Sequence, residues 1–497
     1  MTNLESLSYF VPELILTGTI LAAILADLFY SADRSGRVGW WVLTGLILAG
    51  GAVILTGARV PVPLFLGAIA DDPFGAFFKL VILAATVFTV AVSRHENDLR
   101  NQRRGEYYIL LVIMVLGLFL MVAAVDLIMV YLSIEVVSIT SFVLAGYLKG
   151  DQRSGEASLK YIIYGAFSSG IMLFGLSILF GVTGTTRIYE IRNALAMLGN
   201  GADLALILAV LFIMTGFGYK ISAVPFHYWT PDVYEGAPTS ITAYLSVAPK
   251  AAGFALLIRF FNSLLGDPTT FIASEWTSFS AVPWIQLLAV LAVATMTLGN
   301  LIALRQDSVK RMLAYSSIAH AGYLMMGLPV LSLQGINGIM IYAVVYLCMN
   351  LGAFYIVLNV YNQTGSEDFE AFAGLGARAP LPALLMTLFM FSLTGIPPTA
   401  GFIGKFYLFA AVIKAGPGFY WLAIVGVLNS VVSLYYYLRV VKMMYFEQTG
   451  QRRSSLKPSF ITVLAVLLAL PTLILGIYWT PLADWVRYSL MIFTQGM

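Results

Sequence analysis

Cysteine is all but missing from this chain: one, Cys348, in 497 residues. No disulfide can close within the chain, and no cysteine-ligated zinc or iron–sulfur site fits it. Histidine is nearly as scarce, with only His95, His227 and His320. No G-x-G-x-x-G follows a strand-like run, so a dinucleotide fold is excluded and no redox cofactor is evident. Charge is low too, at 11% of residues, where soluble domains average about 25%. No polar stretch exceeds about 25 residues, well short of the ~50 a soluble domain needs. The formal net charge of +3 comes from loop residues and gives no support to nucleic-acid binding. The opening MTNLESLSYFVPE carries no Lys or Arg. It lacks the basic n-region of a cleavable signal peptide, so the first apolar run is expected to be a retained helix.

What the chain has is apolar sequence, 60% of its residues. Runs of roughly 20 such residues mark spanning helices, and about fourteen can be placed. They include Tyr161–Val182, Ala205–Val224, Thr239–Phe261, Met312–Leu328, Gly335–Tyr361 and Pro380–Lys414. The expected fold is an all-α polytopic membrane protein. Alternate loops hold about 18 basic residues against about 6 in the others, and basic loops stay in the cytoplasm. The rich loops include SRHENDLRNQRR, RQDSVKR and EQTGQRRSSLK. Both termini are then expected on the outer side, in agreement with an even helix count.

Two runs are interrupted. Gly216, Gly218 and Pro225 flank Lys220, and Pro397 and Pro398 precede Lys405. Proline deletes a backbone donor and kinks a helix, so both runs read as discontinuous helices. They lie five helices apart. An odd offset reverses orientation, as an inverted repeat requires. The expected repeats are 107–261 and 284–445, with Lys405 at the place related to Lys220.

Lys220, Lys250, Lys405 and Glu135 all fall inside apolar runs. Each charge at bilayer depth costs roughly 2.5–3.5 kcal/mol, so each needs a use or a partner. Together they read as stations on a buried proton path. A nearby carboxylate holds a lysine's proton and a departing one releases it, so Glu135 and Lys220 read as a switch. His320, mid-helix beside Tyr315, Ser316 and Ser317, suits a relay. His227 and Lys160 are second-rank candidates. Lys79, near a helix start, is expected to snorkel.

The stretches LSIEVVSITSFVLAGY, GFGYKISAVPFHYWTPDVYEGAPTSITAYLSVAPKAAGFALL, KRMLAYSSIAHAGYLMMG and SLTGIPPTAGFIGKFYLFAAV resemble the antiporter-like subunits of respiratory complex I. That family is shared with multi-subunit sodium/proton antiporters. The resemblance implies inverted five-helix repeats, broken seventh and twelfth helices, and a hydrophilic axis. In it Glu135, Lys220, Lys250 and Lys405 match the fifth-, seventh-, eighth- and twelfth-helix charged positions. The M-type subunit carries glutamate where this chain has Lys405, and the L-type has a lateral helix after the bundle. The resemblance further implies a proton-translocating subunit of an NADH:quinone oxidoreductase in a bacterial cytoplasmic membrane. NADH, FMN, iron–sulfur clusters and quinone would lie on partner subunits. Partners would be other complex I membrane subunits, including another antiporter-like one, and lipids. The alternative it leaves is an Mrp-type cation/proton antiporter subunit.

The loop charges make a direct prediction. A membrane-impermeant thiol reagent added from outside should label a C-terminal cysteine and spare Arg453→Cys; the reverse pattern would overturn the topology.

Overall fold

The computed structural model describes residues 2–57, 60–198, 203–265, 284–447 and 459–493. The basic stretch around Arg452 and Arg453 therefore lies outside the described residues. The helices are α1 (Val11–Phe29), α2 (Val38–Thr56), α3 (Pro73–Ser93), α4 (Arg104–Ala123), α5 (Leu127–Ala145) and α6 (Gln152–Thr183). There follow α7 (Asp203–Ile221), α8 (Trp229–Gly236), α9 (Thr239–Leu265), α10 (Trp284–Ala303), α11 (Val309–Met325) and α12 (Leu333–Thr364). The last are α13 (Pro380–Thr394), α14 (Ala400–Lys414), α15 (Tyr420–Phe446), α16 (Phe460–Ile477) and α17 (Thr480–Ser489). Among the described residues, 12 helices are long and apolar enough to cross a membrane. The remaining expected spans correspond to α11, of 17 residues, and to the split pair α13–α14.

Local chemistry sets the helix starts. Asp72, Asp126, Asp151, Ser308 and Ser332 each accept a hydrogen bond from a backbone N–H in the first turn of the helix that follows. Such caps satisfy donors that the helix itself leaves unpaired. Helix α9 is buried along its whole apolar window and α12 almost so, as central helices of a bundle must be. Helix α6 starts nine residues before the expected Tyr161. Asp151 caps it, and its polar first turns run exposed beyond the apolar stretch. The long eleventh run is one continuous helix, α12. A small hairpin, β1 (Val62–Leu64) with β2 (Ile69–Asp71), and the amphipathic α17 were not foreseen.

Both interrupted helices are broken as expected, and in the same way. Ser222 (φ 63°) follows α7 and Gly395 (φ 91°) follows α13. Ala223 N–H then bonds to the Gly218 carbonyl at 2.7 Å and Ile396 N–H to Phe391 at 3.0 Å. These are the six-to-one bonds of a left-handed helix cap. Helices α6 and α12 match as well. Each has 32 residues and ends in Thr followed by a left-handed Gly, Gly184 or Gly365. The chain after each then pairs with the segment before α5 or α11: Leu127 N–H to Thr186 O at 2.8 Å, and Val309 N–H to Glu367 O at 2.9 Å.

The match corrects one expectation. Lys220 closes the helix before its break, whereas Lys405 lies in the helix after its own, so the two lysines are not repeat equivalents.

Gly401 lets α14 seat against α13: a Cβ there would come within 1.7 Å of the Ser392 carbonyl oxygen. Backbone cannot yield as a flexible side chain can. Gly401→Ala should therefore destabilise the chain by about 1–3 kcal/mol or more, read as a lower thermal midpoint in detergent and reduced incorporation into membranes.

Candidate functional site

The site is built along helices that break or cross at the centre of the bundle. Lys220, in the last turn of α7, donates to Ser138 Oγ on α5 at 3.2 Å. Ser138 stands one helical turn beyond Glu135. Among the described residues Glu135 forms no ion pair, and its Oε1 is buried without a hydrogen-bond partner. The structure therefore holds the Glu135–Lys220 pair apart, with a hydroxyl beside the amine. Glu135 is only half-buried, on a face of α5 that also exposes Ile128, Leu132, Ile139 and Val143.

A glycine lets the end of α7 pack on α9 one turn from Lys250. Gly253 lies one turn from Lys250 on α9, and a Cβ there would meet Ile221 Cγ2 at 2.7 Å and Lys220 Cγ at 3.9 Å. Lys250 donates to the Ser317 carbonyl at 2.8 Å and to its Oγ at 2.6 Å. Pro249, just before it, leaves the Leu245 carbonyl without its helical donor.

From there the line runs along α11. Ser317, His320 and Tyr323 recur every three residues on one face. His320 Nδ1 meets Tyr342 OH at 2.5 Å, and Nε2 meets Tyr437 OH at 3.0 Å. Tyr437 OH in turn bonds to Ser316 Oγ at 2.5 Å. Lys405 Nζ lies 4.4 Å from the centre of the Tyr323 ring. It donates to Thr394 O, the last carbonyl of α13, and to Ser430 Oγ, both at 2.9 Å. All three lysines are buried, and each hydrogen-bonds to neutral oxygens.

The other sequence candidates fall elsewhere. His227 is buried in the link between α7 and α8, with Nδ1 unpartnered and its ring 4.6 Å from Tyr228. Lys160 lies off this line. Its side chain, 37% exposed, bridges Asp232 at 2.6 Å and Glu156 at 2.7 Å. Lys79 does not snorkel: it is buried against Glu13 at 2.7 Å and Asp71 at 3.8 Å, because the hairpin and α1 close over it. Asp27 pairs with Arg103 at 3.1 Å, and Asp126 caps α5. Sequence reading missed Ser138, Tyr342, Tyr437, Tyr323 and Ser430. Their one signal was a hydroxyl recurring at helical spacing within apolar runs.

Amines, an imidazole and hydroxyls form separate hydrogen-bonded groups spaced through an apolar interior, a donor and acceptor set suited to proton handling in a membrane protein. The family model for NADH:quinone oxidoreductase/Mrp antiporter transmembrane proteins matches residues 124–433, and the chain belongs to that family. It is 45% identical over 508 residues to NADH-quinone oxidoreductase subunit N of Anaeromyxobacter sp., covering 99% of this chain and 98% of that one. It is 46% identical to NADH-quinone oxidoreductase subunit N 2 of Chloroherpeton thalassium over 98% of this chain and 94% of the other. A chain of respiratory complex I from Thermus thermophilus, solved with bound aureothin, superposes with a TM-score of 0.77 at 29% identity, over 95% of this chain and 98% of that one.

Lys220→Ala should leave membrane incorporation intact and strongly reduce proton movement. Removing a merely structural buried cation is neutral or stabilising when no carboxylate is stranded. Proton uptake into vesicles, normalised to the amount of incorporated chain, separates the two outcomes.

Proposed function

We propose that this chain is a proton-translocating, antiporter-like membrane subunit of a respiratory NADH:quinone oxidoreductase, the counterpart of subunit N. Quinone reduction on other subunits shifts charge at Glu135, and protons move through Lys220, Lys250 and His320 to Lys405. The observation that carries this reading is the buried line of bases crossing both broken helices, in a chain matched end to end by relatives of that name.

The rest of the assignment follows from it. The repeats span 107–261 and 284–445, which turns the two halves over relative to each other. NADH, FMN, iron–sulfur clusters and quinone belong to partner subunits, and this chain supplies only the proton path. The partners are other membrane subunits of the complex, another antiporter-like subunit among them, together with lipids. The half-exposed Glu135 supports a protein neighbour on α5, because a carboxylate facing lipid is costly. The chain lies in the bacterial cytoplasmic membrane with both termini outside, as the basic loops favour. An Mrp-type role has less support, since the full-length relatives carry the quinone oxidoreductase name and a dedicated sodium site wants clustered oxygens.

A gentle-detergent pull-down with mass spectrometry tests the assembly. An NADH-oxidising complex is expected, and capture of antiporter subunits alone would overturn the reading. Lys405→Arg tests the path. Arginine can bond to the same oxygens and stack on Tyr323, but it stays protonated at any working pH. Equal assembly with strongly reduced pumping is expected; an Arg variant that pumps like the parent makes Lys405 a structural cation.

A further inference from the structure

Glu96 lies in SRHENDLRNQRR, one of the basic loops expected on the cytoplasmic side. The structure buries it completely, at the end of the bundle where the loop between α3 and α4 meets the start of α9. Its Oε1 accepts from Thr239 N–H at 2.6 Å, and its Oε2 accepts from the Ser240 hydroxyl. Ser240 Oγ also meets Tyr107 OH at 2.9 Å. Thr239 reaches a second carboxylate, donating its hydroxyl to Glu367 Oε1 at 3.2 Å. Glu367 pairs with the buried Lys310 at 3.0 Å, and its own side chain is 16% exposed.

The charges do not balance. The ionisable groups facing Glu96 are Lys310 from α11, Glu367 beyond α12 and Asp98 from its own loop, with the phenols Tyr107 and Tyr108 of α4 and Tyr355 and Tyr361 of α12. One amine serves two buried or half-buried carboxylates. Lys310 is further committed to the Glu235 and Ala237 carbonyls at the end of α8. Burial pushes the Glu96 carboxyl up to about 7, so it is poised to hold or lose a proton near neutral pH.

The helix that Glu96 touches leads to the axis. Thr239, Ser246 and Lys250 are spaced by seven and four residues, which puts them on one face of α9. Ser246 Oγ accepts from Asn350 at 2.6 Å. From Thr239 to Lys250 is about 16 Å at 1.5 Å per residue, with Ser246 beyond the midpoint.

We propose that Glu96 is a proton-loading group, taking a proton from the basic-loop side and passing it along the Thr239–Ser246 face of α9 to Lys250. This rests on the proton-translocating reading above. In the first step an O–H bond of hydronium breaks at the partly exposed Glu367, leaving water, and an O–H bond forms on the Glu96 carboxylate. In the second that bond breaks, an N–H bond forms on the neutral Lys250 amine through hydrogen-bonded water, and the carboxylate is restored. The competing role is a remote cap that satisfies the first N–H groups of α9 and moves no proton.

Glu96→Gln separates them, because its amide oxygen still accepts from the Thr239 and Ser240 N–H groups while its NH2 donates to Ser240 Oγ, yet the amide cannot carry a proton. In the assembled complex in membrane vesicles, pumping coupled to quinone reduction should fall roughly tenfold or more, the scale of losing a positioned proton carrier, while the amount of assembled complex stays at the parent level. A Gln variant that assembles and pumps like the parent would overturn the proposal. Lys220→Ala run in parallel keeps the two readings distinct: loss there with normal pumping in Glu96→Gln sinks only the loading role, whereas normal pumping in both sinks the axis. If the Gln variant fails to assemble, Glu96→Asp is measured instead. A loading role shifts the pH profile of pumping, and an unchanged profile leaves Glu96 as a cap.

Discussion

A hydrocarbon interior offers no water, so a buried ammonium survives only where protein oxygen reaches it. This chain meets that constraint in two ways. One set of buried or half-buried cations is neutralised by carboxylates: Lys79 by Glu13, Arg259 by Asp72, Lys310 by Glu367 and Arg103 by Asp27. These pairs sit near helix ends and fasten neighbouring helices together. The other set, Lys220, Lys250 and Lys405, sits near helix breaks or prolines and takes carbonyls and hydroxyls instead. Breaking one of the first pairs strands a charge, which costs several kcal/mol. In the second set no carboxylate lies within ion-pair distance among the described residues, so an amine there can lose its proton without stranding a paired charge.

The break in the first half brings its own problem. Helix α8 has eight residues, far too few to hold its shape alone. Three basic side chains from neighbouring helices clamp it. Lys160 of α6 and Arg311 of α11 share Asp232, Arg311 also reaches Glu235, and Lys310 takes the carbonyls at the C-terminal end. A cation at that end also complements the helix dipole. Lys160 thus helps to fix the helix that follows Lys220 and His227.

Much of this was legible in the sequence because the signals are local. Apolar runs mark spans, Pro225 and Pro397–Pro398 mark breaks, and a lysine in an apolar run stands out against its neighbours. The rest depends on distant residues meeting. Glu96 lies in a basic loop, yet the groups that bury it lie 143 residues on, at Thr239. Lys79 looked like a snorkelling helix-start lysine, but its partner Glu13 comes from another helix. The prolines placed the two breaks, yet the repeat inferred from them mispaired Lys405 with Lys220, because spacing alone does not say on which side of a break a side chain lies.

The neutral partners also bear on how such a line moves charge in one direction. With three lysines protonated and Glu135 ionised, the axis would carry two uncompensated positive charges. Two unit charges about 10 Å apart at an effective dielectric near 20 repel by roughly 1.7 kcal/mol, enough to change an occupancy more than tenfold. A proton arriving at one lysine therefore favours departure from the next. In the proposed path, displacing Glu135 toward or away from Lys220 would set which end of the line holds the excess. The partners keep that coupling steep, because the oxygens of Ser138, Ser317, Thr394 and Ser430 hydrogen-bond to the amines but do not cancel their charge.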